Sequence, residues 1–427
     1  MSPELKGLIL LSLIKLIVVF TITLIGVALL TLMERKVSAW MQYRRGPNRV
    51  GFAGLLQPAA DGVKNILKEE TLPGTANRGL FVLAPTLAFI PALTLGSIIP
   101  WASPLPVSVD DFGDALGRIW LIGGALRAAF HALFGQVSYH GLLSMAVADL
   151  PIGMLFVLAV GSTGVYGIAL AGWSSNSKYS LLGGLRASAQ MVSYEVAMAL
   201  AVVPVLMLTG DVSFGSIIKA QQNGWWFIFP LFLAFHNFLV SGFAETNRLP
   251  FDLPEAESEL IAGYHTEYSA MKFSMFFIAE YANMVTVSAM VVTLFLGGWD
   301  IPFIHWDETP GVWQTVATGG VMFLKTFFWL FFFMWVRWTL PRFRYDQLMA
   351  LGWKVLMPIG LAYVMLIAIV IYLTENVFAV SSGVVKMALL LLVNVVLSWI
   401  VFMVLDRGLL ITGTRQRAAL PTTSRAA

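Results

Sequence analysis

Long apolar runs, separated by short polar segments, occupy most of this chain. A helix needs about 20 apolar residues to cross the hydrocarbon core of a bilayer, and nine runs reach that length. The pattern therefore predicts an all-α, polytopic membrane protein with about nine transmembrane helices. The predicted spans are Gly7–Met33, Leu80–Trp101, Leu150–Ala171, Leu185–Leu208, Trp225–Ala244, Phe273–Leu296, Val321–Leu340, Leu351–Leu373 and Val384–Leu405.

One shorter segment, Leu55–Lys68, would place apolar residues on one side of a helix and polar residues on the other. The apolar side holds Leu56, Ala59, Ala60, Val63 and Leu67, and the other side holds Asp61, Lys64, Lys68 and Glu69. A short amphipathic helix of this kind is typical of the interface between a membrane and water. The segment therefore predicts an interfacial helix.

The segment Val107–Leu142 has features of both a membrane span and an extramembrane loop. Its middle, Ala115–Phe134, is apolar enough for a tenth span, but it contains Arg118, Arg127 and His131. One further crossing would also move every later basic loop to the other side of the membrane. We therefore predict an insertion outside the membrane, on its outer side.

Lysine and arginine are concentrated in alternate loops, and cytoplasmic loops of membrane proteins are enriched in these residues. The enriched loops hold Arg35, Lys36, Arg44, Arg45, Arg49, Lys64, Lys68, Arg78, Lys178, Arg186, Arg248, Lys272, Arg337, Arg342, Arg344, Lys354, Arg407, Arg415, Arg417 and Arg425. The opposite loops hold only Lys6, Arg118, Arg127, Lys219 and Lys386. This bias predicts an N-terminus outside and a C-terminus in the cytoplasm.

The same pattern predicts a single transmembrane domain over residues 1–405 and a C-terminal tail over residues 406–427. Within the domain we predict a cytoplasmic first loop with the interfacial helix at 34–79, the outer insertion at 107–142 and an acidic cytoplasmic loop at 245–272.

Composition supports a membrane protein and excludes several chemistries. Hydrophobic residues make up 58% of the chain and charged residues only 12%, whereas soluble domains carry about 25% charged residues. The net charge of +3 is explained by the basic loops and needs no nucleic acid. Cysteine is absent, which excludes thiolate-bound iron–sulfur clusters, zinc–thiolate sites and disulfides.

Charged residues are rare elsewhere but crowd together between Glu245 and Glu280. This stretch contains Glu245, Arg248, Asp252, Glu255, Glu257, Glu259, His265, Glu267 and Glu280. Neighbouring carboxylates raise one another's pKa, and groups that keep part of their protons suit proton exchange. A simpler interpretation exists for Glu255 and could extend to Glu257, because Asp252 and Pro254 are typical of a helix start, where the dipole favours acids.

Two further carboxylates, Glu195 and Glu280, lie within or close to apolar spans. An ionised glutamate at the centre of a membrane helix costs on the order of 2.5–3.5 kcal/mol or more. Each is therefore either a neutral packing residue, a member of a buried ion pair or a site in a proton path. The residues alone indicate a transporter, a channel or a coupling module with an acid–base cluster on its cytoplasmic side.

The acidic stretch also resembles a known family. Its sequence Ala244-Glu-Thr-Asn-Arg-Leu-Pro-Phe-Asp-Leu-Pro-Glu-Ala-Glu-Ser-Glu-Leu260 is similar to that of the H subunit of respiratory complex I, the bacterial counterpart of mitochondrial subunit 1. Further motifs of this family follow in the expected order across roughly Met1 to Leu373. They are Glu34-Arg35-Lys36, Arg45-Gly-Pro-Asn-Arg-Val-Gly51, Gln57-Pro58, Asp61-Gly-Val-Lys64, Gly172-Trp-Ser-Ser-Asn176, Ser193-Tyr-Glu195, His265-Thr-Glu-Tyr268, Ala279-Glu-Tyr281 and Pro341-Arg-Phe-Arg-Tyr-Asp346.

The resemblance implies a membrane component of a proton-pumping NADH:quinone oxidoreductase in the bacterial inner membrane. Quinone would enter between the first span, the interfacial helix and the sixth span, and soluble partner subunits would complete its chamber. NADH, FMN and the iron–sulfur clusters would belong to partners, so that this chain alone binds no cofactor and no metal. Small and antiporter-like membrane subunits would be its neighbours.

Residue roles follow from the same resemblance. The polar lining of the quinone chamber would be Arg35, Asp61, Lys64, Arg248, Arg337 and Arg342. The acidic path into the membrane would be Glu34, Glu195, Glu245, Glu255, Glu257, Glu259 and Glu280.

Two features depart from the family, and two alternatives stay open. The insertion Val107–Leu142 is longer than the family's usual loop, and the third span lacks the acid that some members carry, so a path there would use water or Ser162. The first alternative is the equivalent component of a membrane-bound hydrogenase, or of a dehydrogenase that oxidises reduced deazaflavin or ferredoxin. The second is a stand-alone proton transporter, which the absence of a sequence repeat disfavours.

Overall fold

A computed structural model describes residues 3–112, 114, 127–128, 130–132, 137–252, 261–302, 304, 306, 309–377 and 383–406. Within these residues, eight helices are long and apolar enough to cross a membrane, which confirms the all-α polytopic fold. The long helices are α1 (Pro3–Met41), α3 (Arg78–Leu95), α4 (Gly153–Ser174), α5 (Lys178–Thr209), α8 (Ala270–Phe295), α9 (Val312–Thr339), α10 (Tyr345–Val377) and α11 (Gly383–Asp406). The shorter helices are α2 (Gln57–Leu67), α6 (Phe214–Gln222) and α7 (Phe232–Glu245).

The first helix is longer than its apolar run. Helix α1 continues through Glu34, Arg35 and Lys36 to Met41, although the sequence placed these charged residues in a loop. No glycine or proline lies between Gly26 and Gly46 to interrupt the helix, and glutamate, arginine and lysine are good helix formers. The extension carries two candidate site residues on a rigid element.

The fifth predicted span, Trp225–Ala244, is helical only from Phe232, where α7 begins. Turns precede it: the Phe229 amide donates to the Trp226 carbonyl and the Leu231 amide to that of Phe227. Pro230 has no N–H to continue a helical ladder, which is consistent with this irregular segment. Helix α7 is therefore 14 residues long.

The predicted amphipathic helix is present as α2. Leu56 and the apolar residues of α2 predicted to share its side are all exposed. Its polar side faces the protein, where the Asn65 amide donates to Ser274 Oγ of α8 at 2.8 Å. An apolar side that faces away from the protein suits contact with lipid.

The insertion is closed by a small sheet that the sequence did not predict. Strand β1 (Leu105–Val109) pairs antiparallel with β2 (Tyr139–Leu143). The residues that follow β2 are bound to α1, because Lys15 Nζ donates to the carbonyl oxygens of Ser144 at 3.1 Å and Ala146 at 2.8 Å. Lys15, which the sequence left without a role, therefore connects the first span to the insertion.

The core is formed by α3, α4, α5, α7 and α8, which pack side by side. Small residues permit close approach: a Cβ on Gly172 of α4 would lie 2.6 Å from the Ser180 carbonyl oxygen and 3.1 Å from Gly184 Cα of α5. Lys325 of α9 donates to three carbonyl oxygens that follow α8, at Leu296, Gly298 and Asp300. These contacts hold α8, which carries Glu280, in a fixed position.

Candidate functional site

A cavity of about 590 Å³ lies between α1, α2, α8 and the end of α9. Ligand sites of small molecules typically have 300–1,000 Å³ and combine an apolar lining with a few polar groups. The lining here includes five charged residues, namely Glu34, Arg35, Asp61, Lys64 and Arg337, together with apolar residues such as Leu24, Val27, Met271, Phe277 and Ile278. The arrangement suits a ligand with one polar and one apolar end.

An ion pair joins α1 to α2 at this cavity. Arg35 Nη1 lies 2.6 Å from Asp61 Oδ2, and both side chains keep contact with solvent. Gln57 also donates to the Asp61 carboxylate, at 3.1 Å. These bonds hold the polar side of α2 against the protein.

A buried group of charged residues lies directly behind the cavity. Arg248 Nη1 is 3.1 Å from Glu34 Oε1, and Arg248 Nε is 2.6 Å from Glu280 Oε1. Arg337 also pairs with Glu34, and the Tyr281 hydroxyl donates to Glu34 Oε2. One buried guanidinium thus bridges two carboxylates, an arrangement that compensates for their desolvation.

The turn that carries Arg248 is fixed by a buried side chain of α5. Gln190 Nε2 donates to the carbonyl oxygens of Ala244 and Phe251, each at 2.8 Å, and to Asn247 Oδ1 at 3.1 Å. Asn247 adopts a positive φ of 51°, which asparagine tolerates better than most residues. Gln190 and Asn247 therefore hold the backbone from which Arg248 reaches both glutamates.

Two more predicted glutamates lie deeper in the bundle. The Ser162 hydroxyl of α4 donates to Glu195 Oε1 of α5, so the third span offers a polar partner although it carries no acid. Glu245, at the end of α7, lines two small cavities. One of these cavities, of about 30 Å³, is also lined by Glu280.

Other predicted residues are separate from this group. Arg342 Nη2 pairs with Asp252 Oδ2 at 3.3 Å. Lys64 lines the large cavity. Glu255, Glu257 and Glu259 lie outside the described residues.

The segment before α8 contains two polar rings that burial keeps neutral. Burial lowers the pKa of His265 to about 4; its ring packs edge-on against Tyr264 and Phe273. Burial likewise raises the pKa of Tyr268 to about 12, and the Tyr268 hydroxyl donates to the Phe81 carbonyl oxygen at 3.2 Å. These contacts anchor the start of α8 to α3.

In the insertion, the ligand atoms of Asp111, Asp114 and His131 lie within 4.8 Å of one another. Each carboxylate already has a side-chain neighbour. Arg127 lies 2.7 Å from Asp114, and His131 Nε2 lies 3.5 Å from Asp111. We interpret the group as polar contacts within the insertion.

The sequence drew attention to the charged residues but gave no role to Gln190 or Tyr281. Gln190 looks like an ordinary polar residue near the start of a span, and Tyr281 like one aromatic residue among many. The one available signal for Gln190 was its position inside a predicted apolar span, where an amide has several donors and acceptors to satisfy. For Tyr281 the signal was its position next to a membrane glutamate.

Similarity to known proteins identifies the family. Residues 14–368 match the family described as NADH dehydrogenase. An H subunit of the NADH-quinone oxidoreductase of Koribacter versatilis is 50% identical over 368 residues, which cover 85% of this chain and 98% of that protein. An H subunit of the same enzyme from Geobacter metallireducens is 47% identical, over 84% of this chain and 95% of that protein.

A third relative, NADH-quinone oxidoreductase subunit 8 of Rhodothermus marinus, is 46% identical over 81% of this chain and 93% of its own length. The family match spans the helices that form the cavity and the buried charges. The chain therefore belongs to the family of H subunits of NADH-quinone oxidoreductase.

Proposed function

We propose that this chain forms the entrance and part of the chamber for quinone in a proton-pumping NADH:quinone oxidoreductase. In this role it relays protonation changes that accompany quinone reduction into the membrane arm. The observation that carries the proposal is the cavity between α1, α2 and α8, which opens beside Glu34. Glu34 is in turn linked through Arg248 to Glu280.

The cavity has the chemistry that a lipid-soluble quinone needs. Apolar residues of α1 and α8 would contact the tail, and the charged residues Arg35, Lys64 and Arg337 would face the polar headgroup. The apolar side of α2 is exposed, which suits a helix lying at the membrane surface next to a lipid substrate. NADH, FMN and the iron–sulfur clusters would then lie in soluble partner subunits.

The buried charges supply a way to couple this chemistry to the membrane. Reduction of a quinone consumes two protons at the oxygens of its ring, and their removal changes the charge near Glu34. Carboxylates that share one cation are coupled in their protonation, so a change of charge near Glu34 acts on Glu280 through Arg248. From there the predicted path continues through Glu245 to Glu195 and Ser162.

The proposal includes placement and partners. From the basic loops we expect the Glu34–Arg248 cluster on the cytoplasmic side of the bacterial inner membrane, where the soluble arm would dock. Glu195 lies on α5 beside α4, at a partly exposed position suited to contact with a neighbouring membrane protein of the complex. A hydrogenase-type complex would use the same path with another electron donor, and the soluble subunits that copurify with the chain distinguish the two.

The relay is tested by Glu280→Gln and Glu195→Gln in inverted membrane vesicles. We expect each variant to reduce proton translocation, because a neutral amide cannot exchange the proton. NADH:quinone reductase activity and pumping are measured together, with Glu375→Gln as the control, since Glu375 pairs with Lys386 at an exposed site. Unchanged activity and unchanged proton-to-electron stoichiometry in both variants would exclude the relay.

The cavity is tested by filling it. Ala28→Trp introduces a large side chain at a lining position of α1 without removing a charge. We expect the KM for a long-chain quinone to rise at least about tenfold, since the added ring competes for space needed by the tail. The neighbouring Leu29→Trp is the matched control, because Leu29 is exposed and is not among the described lining residues; equal KM values in the two variants would contradict a quinone site here.

A further inference from the structure

Two small cavities adjoin Glu245, and the first of them also adjoins Glu280. The first, of about 30 Å³, is lined by Glu245, Asn283 and Glu280. The second, of about 10 Å³, is lined by Glu245 and Asn283 among apolar side chains such as Leu158 and Met198. A cavity needs about 10–15 Å³ to hold one water molecule, so the first has room for water and the second is at the limit.

Two buried oxygen atoms on these cavities lack a hydrogen-bond partner among the described residues. They are Glu245 Oε2 and Asn283 Oδ1. A buried polar atom left unsatisfied costs about 1–3 kcal/mol, and buried polar atoms are commonly satisfied by internal water that makes 2–4 hydrogen bonds. Both oxygens, and a third partner in Glu280, border the same space.

Asn283 is placed by helix geometry. It follows Glu280 by three residues in α8, and residues at this spacing lie on the same side of a helix. Asn283 therefore stands one turn beyond Glu280, where it borders both cavities, and Glu245 closes them from the end of α7. Asn283 is the only residue besides Glu245, within the part of the chain that the structure describes, to line the two cavities together.

We propose that Asn283 binds water in the first cavity and so positions a water bridge between Glu280 and Glu245. The inference rests on the proposed relay function and names the residue that makes its central step possible. An asparagine amide both donates and accepts hydrogen bonds, so it can hold a water molecule in either orientation. It also has no titratable proton, and it therefore positions the water without trapping the transferred charge.

The transfer is balanced. Protonated Glu280 gives its proton to the bridging water, and the same water gives another of its protons to ionised Glu245. The water is regenerated, Glu280 becomes the carboxylate and Glu245 becomes the acid. Asn283 is thus a positioning residue whose oxygen and amide orient the water for the second transfer.

A pair of substitutions separates this role from simple packing. Asn283→Leu keeps the branched shape of the side chain but removes both polar atoms, whereas Asn283→Ser is smaller, polar and leaves room for water. We expect proton translocation in vesicles of the whole complex to fall about tenfold or more in the leucine variant, as for loss of a positioned proton-transfer group. The serine variant should stay within about threefold of the wild type. A packing role predicts instead that the serine variant loses at least as much as the leucine variant, because serine leaves a void that leucine fills.

A second measurement reads the water bridge directly. Infrared difference spectra on quinone reduction should contain a carboxylic acid C=O band that Glu245→Gln removes. We expect this band to shift in Asn283→Leu and to stay in place in Asn283→Ser. Should the leucine variant fail to assemble, Asn283→Val replaces it as the smaller apolar substitution.

The outcomes are distinguishable. Loss of pumping and a shifted band in the apolar variant, with both retained in the serine variant, support the proposal. The role of Asn283 is overturned if the apolar variant pumps like the wild type, or if the apolar and serine variants lose pumping equally. In that case Glu245→Gln and Glu280→Gln would still lose pumping, and the relay would stand. Retained pumping in those two glutamine variants would instead overturn the relay itself.

Discussion

At the scale of single residues, Arg248 is the cation that joins the two buried carboxylates of the site. Arg248 is only 6% exposed, and its guanidinium contacts Glu34 and Glu280 while lying 4.4 Å from the centre of the Tyr281 ring. Removing one partner of a buried ion pair leaves an uncompensated charge in a low-dielectric medium, which costs about 3–5 kcal/mol. The stability of this region and its proton chemistry therefore depend on the same contacts.

We predict that Arg248→Ala lowers the unfolding free energy of the chain by about 3–5 kcal/mol, since Glu280 loses its cation inside the protein while Glu34 keeps Arg337. Denaturant unfolding of the purified protein in detergent measures this change. Arg344→Ala is the control: its pair with Asp346 is largely exposed, and such pairs contribute at most about 1 kcal/mol. A loss no larger for Arg248 than for Arg344 would mean that the bridge carries no stability.

His265 provides a prediction about pH. Burial lowers its pKa in the folded protein from 6.5 to about 4, so between these values the unfolded chain binds more protons than the folded one. Lowering the pH from 6.5 toward 4 therefore favours unfolding. We expect the thermal midpoint of the purified chain to fall over this window, and to fall less steeply in His265→Gln.

The control for this pH dependence is His140→Gln. His140 lies in β2, and its side chain is half exposed next to Asp110. It should leave the slope of midpoint against pH close to that of the wild type. A slope that His265→Gln does not change would show that other groups cause the acid sensitivity.

The sequence indicated charged residues of interest but not how they pair. Arg248 and Glu280 were recognisable because a charge beside an apolar run is costly, and Glu34 because its motif resembles that of the family. Their bridge joins three elements that are far apart in the chain: helix α1, helix α8 and the turn that follows α7. No local sequence pattern encodes that contact. Gln190, which shapes the turn, was missed because its role depends on backbone groups of another helix.

At the scale of elements, local periodicity predicted well and backbone breaks did not. The amphipathic pattern of α2 and the long apolar runs follow from spacing alone. The short α7 does not, because Trp225–Ala244 is apolar throughout and only Pro230 indicates a break. The hairpin β1–β2 was missed because it joins residues at opposite ends of the insertion.

The break before α7 is stabilised by α11. Asn394 accepts a hydrogen bond from the Leu233 amide and one from the Tyr363 hydroxyl, and donates to the Pro230 carbonyl oxygen. These groups would otherwise be unsatisfied inside the membrane, where water cannot reach them. Helix α11 lies beyond residue 368, where the family match ends, yet it completes an element inside that match.

We therefore predict that Asn394→Leu destabilises the chain by about 1–3 kcal/mol, the cost of leaving buried backbone groups without partners. Thermal unfolding in detergent measures the change. Ser398→Ala, one turn further along α11, is the matched control, because Ser398 Oγ makes no hydrogen bond with any described residue. Equal effects of the two substitutions would mean that the break before α7 needs no support from α11.

At the scale of the whole molecule, exposed aromatic residues outside the long apolar spans indicate a docking surface. Trp40 at the end of α1, Tyr43 and Phe52 are among the most exposed large residues of the protein, and Arg44, Arg45 and Arg49 lie between them in the chain. Exposed apolar patches beside polar residues mark sites of protein contact, and aromatic residues with arginine dominate binding energy at such sites. This surface follows α1 directly, next to the cavity that a soluble partner would complete.

We predict that Phe52→Glu releases the soluble subunits while leaving the membrane part assembled, because a buried charge without a partner is strongly unfavourable at an interface. Loss of a central aromatic contact costs about 2 kcal/mol or more, which weakens binding about thirtyfold. Copurification of soluble subunits with the membrane subunits measures this. Trp313→Glu is the control, since Trp313 is also strongly exposed, at the start of α9, the opposite end of that helix from Arg337. If Phe52→Glu retained the soluble subunits as well as Trp313→Glu does, the soluble arm would have to dock elsewhere, and the cavity beside Glu34 would lose the partner that completes its chamber.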